Sequence, residues 1–162
     1  MKYPLASNSW DERELEAIQS VIDSDIYTMG AKVEQFEKEF ATEMGCKHAI
    51  MVNSGSSANL IMLTAAKIKY DWNNNFNIIV PSVAWSTTYF PIHQISGDLN
   101  FVDIKSNTMN INPDEVVKSI NKDTKAILAV NLLGNPADYN ALRLLANKHN
   151  LVLLEDNCES FG

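Results

Sequence analysis

An α/β fold is predicted for this chain, with a mainly parallel sheet covered by helices on both faces. Two observations predict it. From residue 47 onward, short apolar runs alternate with helical stretches, which is a βαβ rhythm. The 162 residues, 46% hydrophobic and 20% charged, suit one globular domain with a substantial core and argue against disorder. Strands separated by crossover helices pair in parallel with right-handed connections, so helices on both faces follow.

The elements can be justified in order. Ser9 followed by Glu12 has capping-box spacing, and Leu15, Ile18, Val21 and Ile22 share one helical face, so residues 10–23 read as an amphipathic helix. A second helix follows the DIYTMG turn, where Val33, Phe36, Phe40 and Met44 repeat at three and four and Gly45 stands as the stop. HAIMV then reads as a strand and 57–69 as a helix. NIIVP is a strand followed by a helix over 86–95, and LNFVDI a strand followed by a helix opening at Asn112-Pro113. KAILAV is a strand followed by a helix over 138–149, and LVLLE is the last strand. The Asn-rich DWNNNFN at 71–77 reads as a surface loop. This divides the chain into an amino-terminal helical segment, 1–46, and an α/β domain, 47–162.

Composition excludes several function classes. A net charge of −7 without a basic patch argues against nucleic-acid binding. No stretch approaches the roughly 18 to 20 apolar residues that cross a bilayer, and the opening MKYPLASNSW has no signal-peptide core, so no membrane role and a cytoplasmic location are expected. Cys46 and Cys158 lack CxxC spacing and offer neither a metal site nor a disulfide framework.

In open parallel sheets, ligands collect beyond the carboxyl ends of the strands. The segments there are NSGSSANL, SVAWSTTY, NLLGNP and EDNCES. Gly55, Ser56 and Ser57 stand at a strand-to-helix turn, where N–H groups, hydroxyls and the helix dipole can hold a phosphate. An ordinary Ser-rich N-cap stands beside that reading with equal weight. There is no GK[ST], GxGxxG or GxSxG pattern. Trp85 offers an indole for a flat heterocycle or, taken alone, a core plug.

The run Leu151 to Leu154 is apolar enough to be buried on both faces, so Glu155, Asp156 and Glu159 at its end need a cation to meet them. A planar, phosphorylated, cationic cofactor satisfies all three segments, and pyridoxal phosphate fits that description, with Asp156 on its protonated ring nitrogen. For a lone aspartate, a carboxylate bonded to loop N–H groups is the plainer alternative.

The ordered set SGSSANL, PSVAWSTTY, VNLLGNP and EDNCES resembles the DegT/DnrJ/EryC1/StrS family of pyridoxal-phosphate enzymes acting on nucleotide-linked keto sugars, along essentially the whole chain. The likeness is strongest to the family's 3-dehydratase branch, whose opening also reads like YPLAS…W and …TMG. The resemblance implies an aspartate-aminotransferase-like (fold type I) large domain, here incomplete, and pyridoxal or pyridoxamine 5'-phosphate as cofactor. It places Gly55, Ser56 and Ser57 on the phosphate, Trp85 on the ring face, Asp156 on the ring nitrogen and Glu159 beside the ring. It places Asp25, Ile26, Tyr27 and Thr28 against the nucleotide-sugar. Aminotransferases of the family usually carry EDAAQ or EDACH in the last motif, so Asn157, Cys158 and Glu159 point to the dehydratase branch.

The resemblance further implies L-glutamate as amino donor, a homodimer when complete, and sugar synthesis for lipopolysaccharide. Family members run to more than twice this length. Their proton-handling residue, a lysine in aminotransferases and a histidine in 3-dehydratases, would fall beyond Gly162. His48, His93 and His149 do not match it and read as strand-edge or surface residues. The chain therefore reads as an amino-terminal part lacking the small carboxyl-terminal domain. The expected activity is 3-dehydration of a nucleotide-linked 4-keto-6-deoxy sugar. The alternatives are a sugar 4-aminotransferase with the same cradle and a truncated, catalytically silent binding module.

Overall fold

The structure, a computed structural model, describes residues 7–73 and 75–160. Most of the YPLAS opening, Asn74 of the DWNNNFN loop, and Phe161 and Gly162 lie outside the described residues. The chain forms two compact units that meet at Met51 and Val52.

The first unit carries helices α1 (Glu12–Ser24) and α2 (Ala31–Glu43). Ser9 does not cap α1. Asp11 does, accepting from Arg13 N at 2.8 Å, while Glu14 accepts from Asp11 N at 2.7 Å. The capping box is thus present two residues later than predicted, because an aspartate with a glutamate three residues on satisfies the same orphan donors. After α2, Gly45 takes the left-handed conformation at φ +62° that only glycine adopts without cost.

The second unit carries α3 (Gly55–Lys69), β1 (Asn77–Pro81), α4 (Ser86–Gln94), β2 (Asp98–Val102), α5 (Pro113–Ser119), β3 (Thr124–Val130), α6 (Tyr139–His149) and β4 (Val152–Asp156). The four strands form one sheet in the order β2-β1-β3-β4, every pair parallel. Side chains alternate across it. Ile78 and Val80 of β1 and Ala126 and Leu128 of β3 pack with Leu63 and Ala66 of α3 and Ile92 of α4. Ile79, Ile127 and Ala129 face the opposite way, onto Val116 of α5 and Leu142 and Ala146 of α6. The α/β class with helices on both faces is therefore observed. No helix among the described residues is long and apolar enough to cross a membrane.

Three expectations are corrected. HAIMV is not a strand. It pairs with nothing in the sheet among the described residues, and Met51 N–H donates instead to Glu37 Oε1 at 2.8 Å. An apolar run becomes a strand only where a ladder receives its backbone groups. The 71–77 segment is not simply surface, since Trp72 and Phe76 are buried in the core and Asn77 opens β1. Finally, among the described residues β4 lies at one side of the sheet, and Leu151 to Leu154 are half-buried there instead of fully buried.

Candidate functional site

Strand alternation decides where the terminal carboxylates go. Val152 and Leu154 pack on the α3/α4 side of the sheet, whereas Leu151 and Leu153 pack on the α5/α6 side. With a period of two, Asp156 continues the first set and Glu155 the second. Two adjacent acids thus serve opposite faces, at the carboxyl ends of strands whose order reverses between β1 and β3, where open parallel sheets place ligands.

Asp156 is 5% exposed. Its Oδ2 accepts from Asn59 Nδ2 and from Thr88 Oγ1, both at 2.8 Å, and its Oδ1 accepts from Cys158 N at 3.2 Å. No described lysine or arginine forms an ion pair with it. The expected cation is therefore not a side chain among the described residues. Neutral donors fill three of the four acceptor positions of a carboxylate, and the Cys158 thiol also hydrogen-bonds to it.

The serine turn is the amino terminus of α3. Ser54 caps it, accepting from Ser57 N at 3.2 Å and donating its hydroxyl to Ser57 Oγ at 3.2 Å. The cap consumes the Ser57 N–H. Among the described residues, the Gly55 and Ser56 N–H groups have no acceptor, and the Ser56 and Ser57 hydroxyls keep protons to donate. These groups suit an anion at the positive end of a fifteen-residue helix. A Cβ on Gly55 would stand 4.0 Å from Cys158 Cβ, so this turn borders the loop that follows Asp156.

Trp85 precedes α4 as its N-cap and is 69% exposed, so it is not a core plug. Its carbonyl accepts from Thr88 N at 3.0 Å, which ties the indole's backbone to a residue bonded to Asp156.

Glu159 is exposed and accepts from Leu133 N at 2.6 Å. Leu133 is held at φ +54° inside the 3-10 turn Leu132–Gly134, a left-handed conformation that disfavours a branched side chain. On the α5/α6 side, buried Asn131 donates to Glu155 Oε1 at 2.8 Å and to Asn157 Oδ1 at 2.5 Å, and accepts from Ala137 N at 2.9 Å and Tyr139 OH at 3.0 Å. Burial, reinforced by the Glu155 charge, raises the Tyr139 phenol's pKa well above the usual tyrosine range.

Asp25, Ile26, Tyr27 and Thr28 form an exposed turn after α1 in the first unit, with Asp25 at φ +53° as the helix C-cap. His48, His93 and His149 are all exposed. Sequence reasoning missed Asn59 and Thr88, although both stand inside the quoted motifs. A polar residue one helical turn after the start of each of these two helices was the available signal.

The model of the DegT/DnrJ/EryC1/StrS aminotransferase family matches residues 8–162. The chain belongs to this family. GDP-4-keto-6-deoxy-D-mannose 3-dehydratase of Yersinia pseudotuberculosis is 49% identical over 164 aligned positions, covering 100% of this chain and 42% of that protein. The structure of the Escherichia coli GDP-4-keto-6-deoxy-D-mannose 3-dehydratase with bound hydrated PLP superposes with a TM-score of 0.94 at 48% identity, over 99% of this chain and 42% of that one. A GDP-4-keto-6-deoxymannose-3-dehydratase with a trapped PLP-glutamate geminal diamine matches equally, at TM-score 0.94 and 48% identity over the same shares. The chain thus spans under half the length of these relatives and shares the fold of their corresponding part.

Proposed function

We infer that this chain is the cofactor-binding part of a pyridoxal/pyridoxamine-phosphate-dependent 3-dehydratase acting on a nucleotide-linked 4-keto-6-deoxy sugar, GDP-4-keto-6-deoxy-D-mannose by likeness to the relatives. The observation that carries the reading is Asp156, a buried carboxylate held by neutral donors and paired with no described lysine or arginine, at the switch point of a parallel sheet. The residues present fit the group. A carboxylate without an ion pair suits a protonated pyridine nitrogen, and the α3 terminus suits its phosphate.

In this reading Asp156 holds the proton on the ring nitrogen. Gly55 and Ser56 N–H groups, with the Ser56 and Ser57 hydroxyls, anchor the phosphate, and the Trp85 indole covers a ring face and limits water there. Glu159 lies beside the ring, steadied by the Leu133 N–H, and adds negative charge that favours the protonated nitrogen. Asp25, Ile26, Tyr27 and Thr28 contact the nucleotide-sugar. When bound, the cofactor supplies an electron sink that accepts negative charge developing at the adjacent carbon, which makes loss of the sugar's 3-hydroxyl feasible. L-Glutamate would serve as the amino donor, in line with the glutamate adduct trapped in the relative. The proposal extends to a cytoplasmic homodimer serving lipopolysaccharide sugar synthesis.

The test supplies the protein at its natural full length with GDP-4-keto-6-deoxymannose and glutamate, and follows products by mass spectrometry. A 3-deoxy ketosugar is expected. A 4-amino sugar as main product would overturn dehydration in favour of aminotransfer, and no turnover despite cofactor loading would favour a silent binding module. A strictly monomeric active enzyme in analytical ultracentrifugation would contradict the dimer, and recovery in the membrane fraction would contradict the location.

A further inference from the structure

Asp156 is addressed by two buried side chains from different helices, and neither belongs to the cofactor-contacting set above. Asn59, 6% exposed on α3, and Thr88, 1% exposed on α4, both donate to the same oxygen, Oδ2, at 2.8 Å. The remaining amide proton of Asn59 reaches Thr87 O at 3.4 Å, so the three segments are linked in one chain of hydrogen bonds. We propose that Asn59 and Thr88 are positioning residues that fix the Asp156 carboxylate by Oδ2 and leave Oδ1, which meets only Cys158, for the ring nitrogen of a bound pyridine cofactor. The inference rests on the cofactor reading given above.

Two physical points separate this from simple helix docking. Hydrogen bonds donated to a buried carboxylate favour its charged form. A lysine or arginine would do so as well, but it would also cancel the charge. Neutral donors stabilise the anion and leave its full negative charge for a cationic partner, which a protonated pyridine provides. The second point is register. Asn59 lies four residues after Gly55 on α3, and Thr88 lies three residues after Trp85 on α4, so each donor sits about one helical turn beyond an expected cofactor contact. The helices that carry the phosphate turn and the indole therefore also aim the carboxylate, setting the spacing of phosphate, ring face and ring nitrogen together.

The experiment reconstitutes the full-length protein with pyridoxal phosphate labelled with nitrogen-15 in the ring and follows ring-nitrogen protonation by NMR across pH, alongside cofactor affinity. Thr88→Val and Asn59→Leu keep shape and remove one donor each. Each is expected to lower the pH at which the ring nitrogen loses its proton and to weaken affinity about tenfold, the loss of one hydrogen bond to a charged group. Thr88→Ser should restore both readouts, which a role in packing alone would not require. If the valine variant does not load, Thr88→Cys, with its weaker donor, is expected to fall between serine and valine. Ring protonation unchanged in the loaded variants, or a cysteine variant matching wild type, would overturn the proposal. A wild-type protein that binds no cofactor would overturn the underlying reading instead.

Discussion

The Cys158 thiol is exposed, yet its pKa is pushed up from 9.0 to about 11, chiefly by partial desolvation and then by the neighbouring Asp156 and Glu159 carboxylates. The thiolate, which is the reactive form, is therefore scarce at neutral pH. In cofactor-free protein, alkylation of Cys158 should accelerate with a midpoint near 11. A midpoint at the ordinary value of 9.0 would show that neither desolvation nor the carboxylates act on it. The linked effect on stability has a definite sign. The folded protein holds this proton more tightly than the unfolded chain, so the contribution is intact below about 9 and is lost as pH rises towards about 11. At this scale the sequence was only partly legible. Asp156 could be singled out because an acid after an apolar strand needs a partner, but Asn59 and Thr88 are its partners through contacts across 97 and 68 residues. Spacing along the chain carries no record of such distances.

Elements were more legible than residues, because periodicity is local. The capping asparagine before Pro113, the glycine stop at Gly45 and the strands NIIVP and KAILAV all rest on neighbours within a few positions. HAIMV failed for the complementary reason, since ladder pairing is not written in a strand's own residues. The 71–77 segment failed because composition hid two anchors. Phe76 is 1% exposed, tilted on Trp72 at 5.5 Å between ring centroids and lying under Lys67 Nζ. Its ring fills the space beside Gly97, where an added Cβ would stand 2.6 Å and 2.8 Å from ring carbons and 3.3 Å from Ile92 Cγ2. Gly97→Ala should therefore overpack the α4–β2 corner and cost about 1–3 kcal/mol. Thermal or denaturant unfolding measures it, and a variant as stable as wild type would show that the ring moves aside freely.

At the scale of the whole molecule, the sheet gathers groups that are remote in sequence into one candidate site. The α3 terminus borders the loop after Asp156, and Asp156 joins α3 to α4 through Asn59 and Thr88. Topology makes this possible, because parallel strands deliver every strand-end loop to the same edge. The βαβ rhythm therefore foretold the edge, and the ordered motifs foretold the family. The central claim is that this edge holds a phosphorylated pyridine by its phosphate at Ser56 and Ser57. Spectroscopic titration of the full-length protein with pyridoxal phosphate, wild type against a Ser56→Ala, Ser57→Ala double variant, tests it most directly. Loss of two charge-assisted hydrogen bonds predicts affinity at least about tenfold weaker in the double variant, and equal affinity in the two proteins would contradict the account.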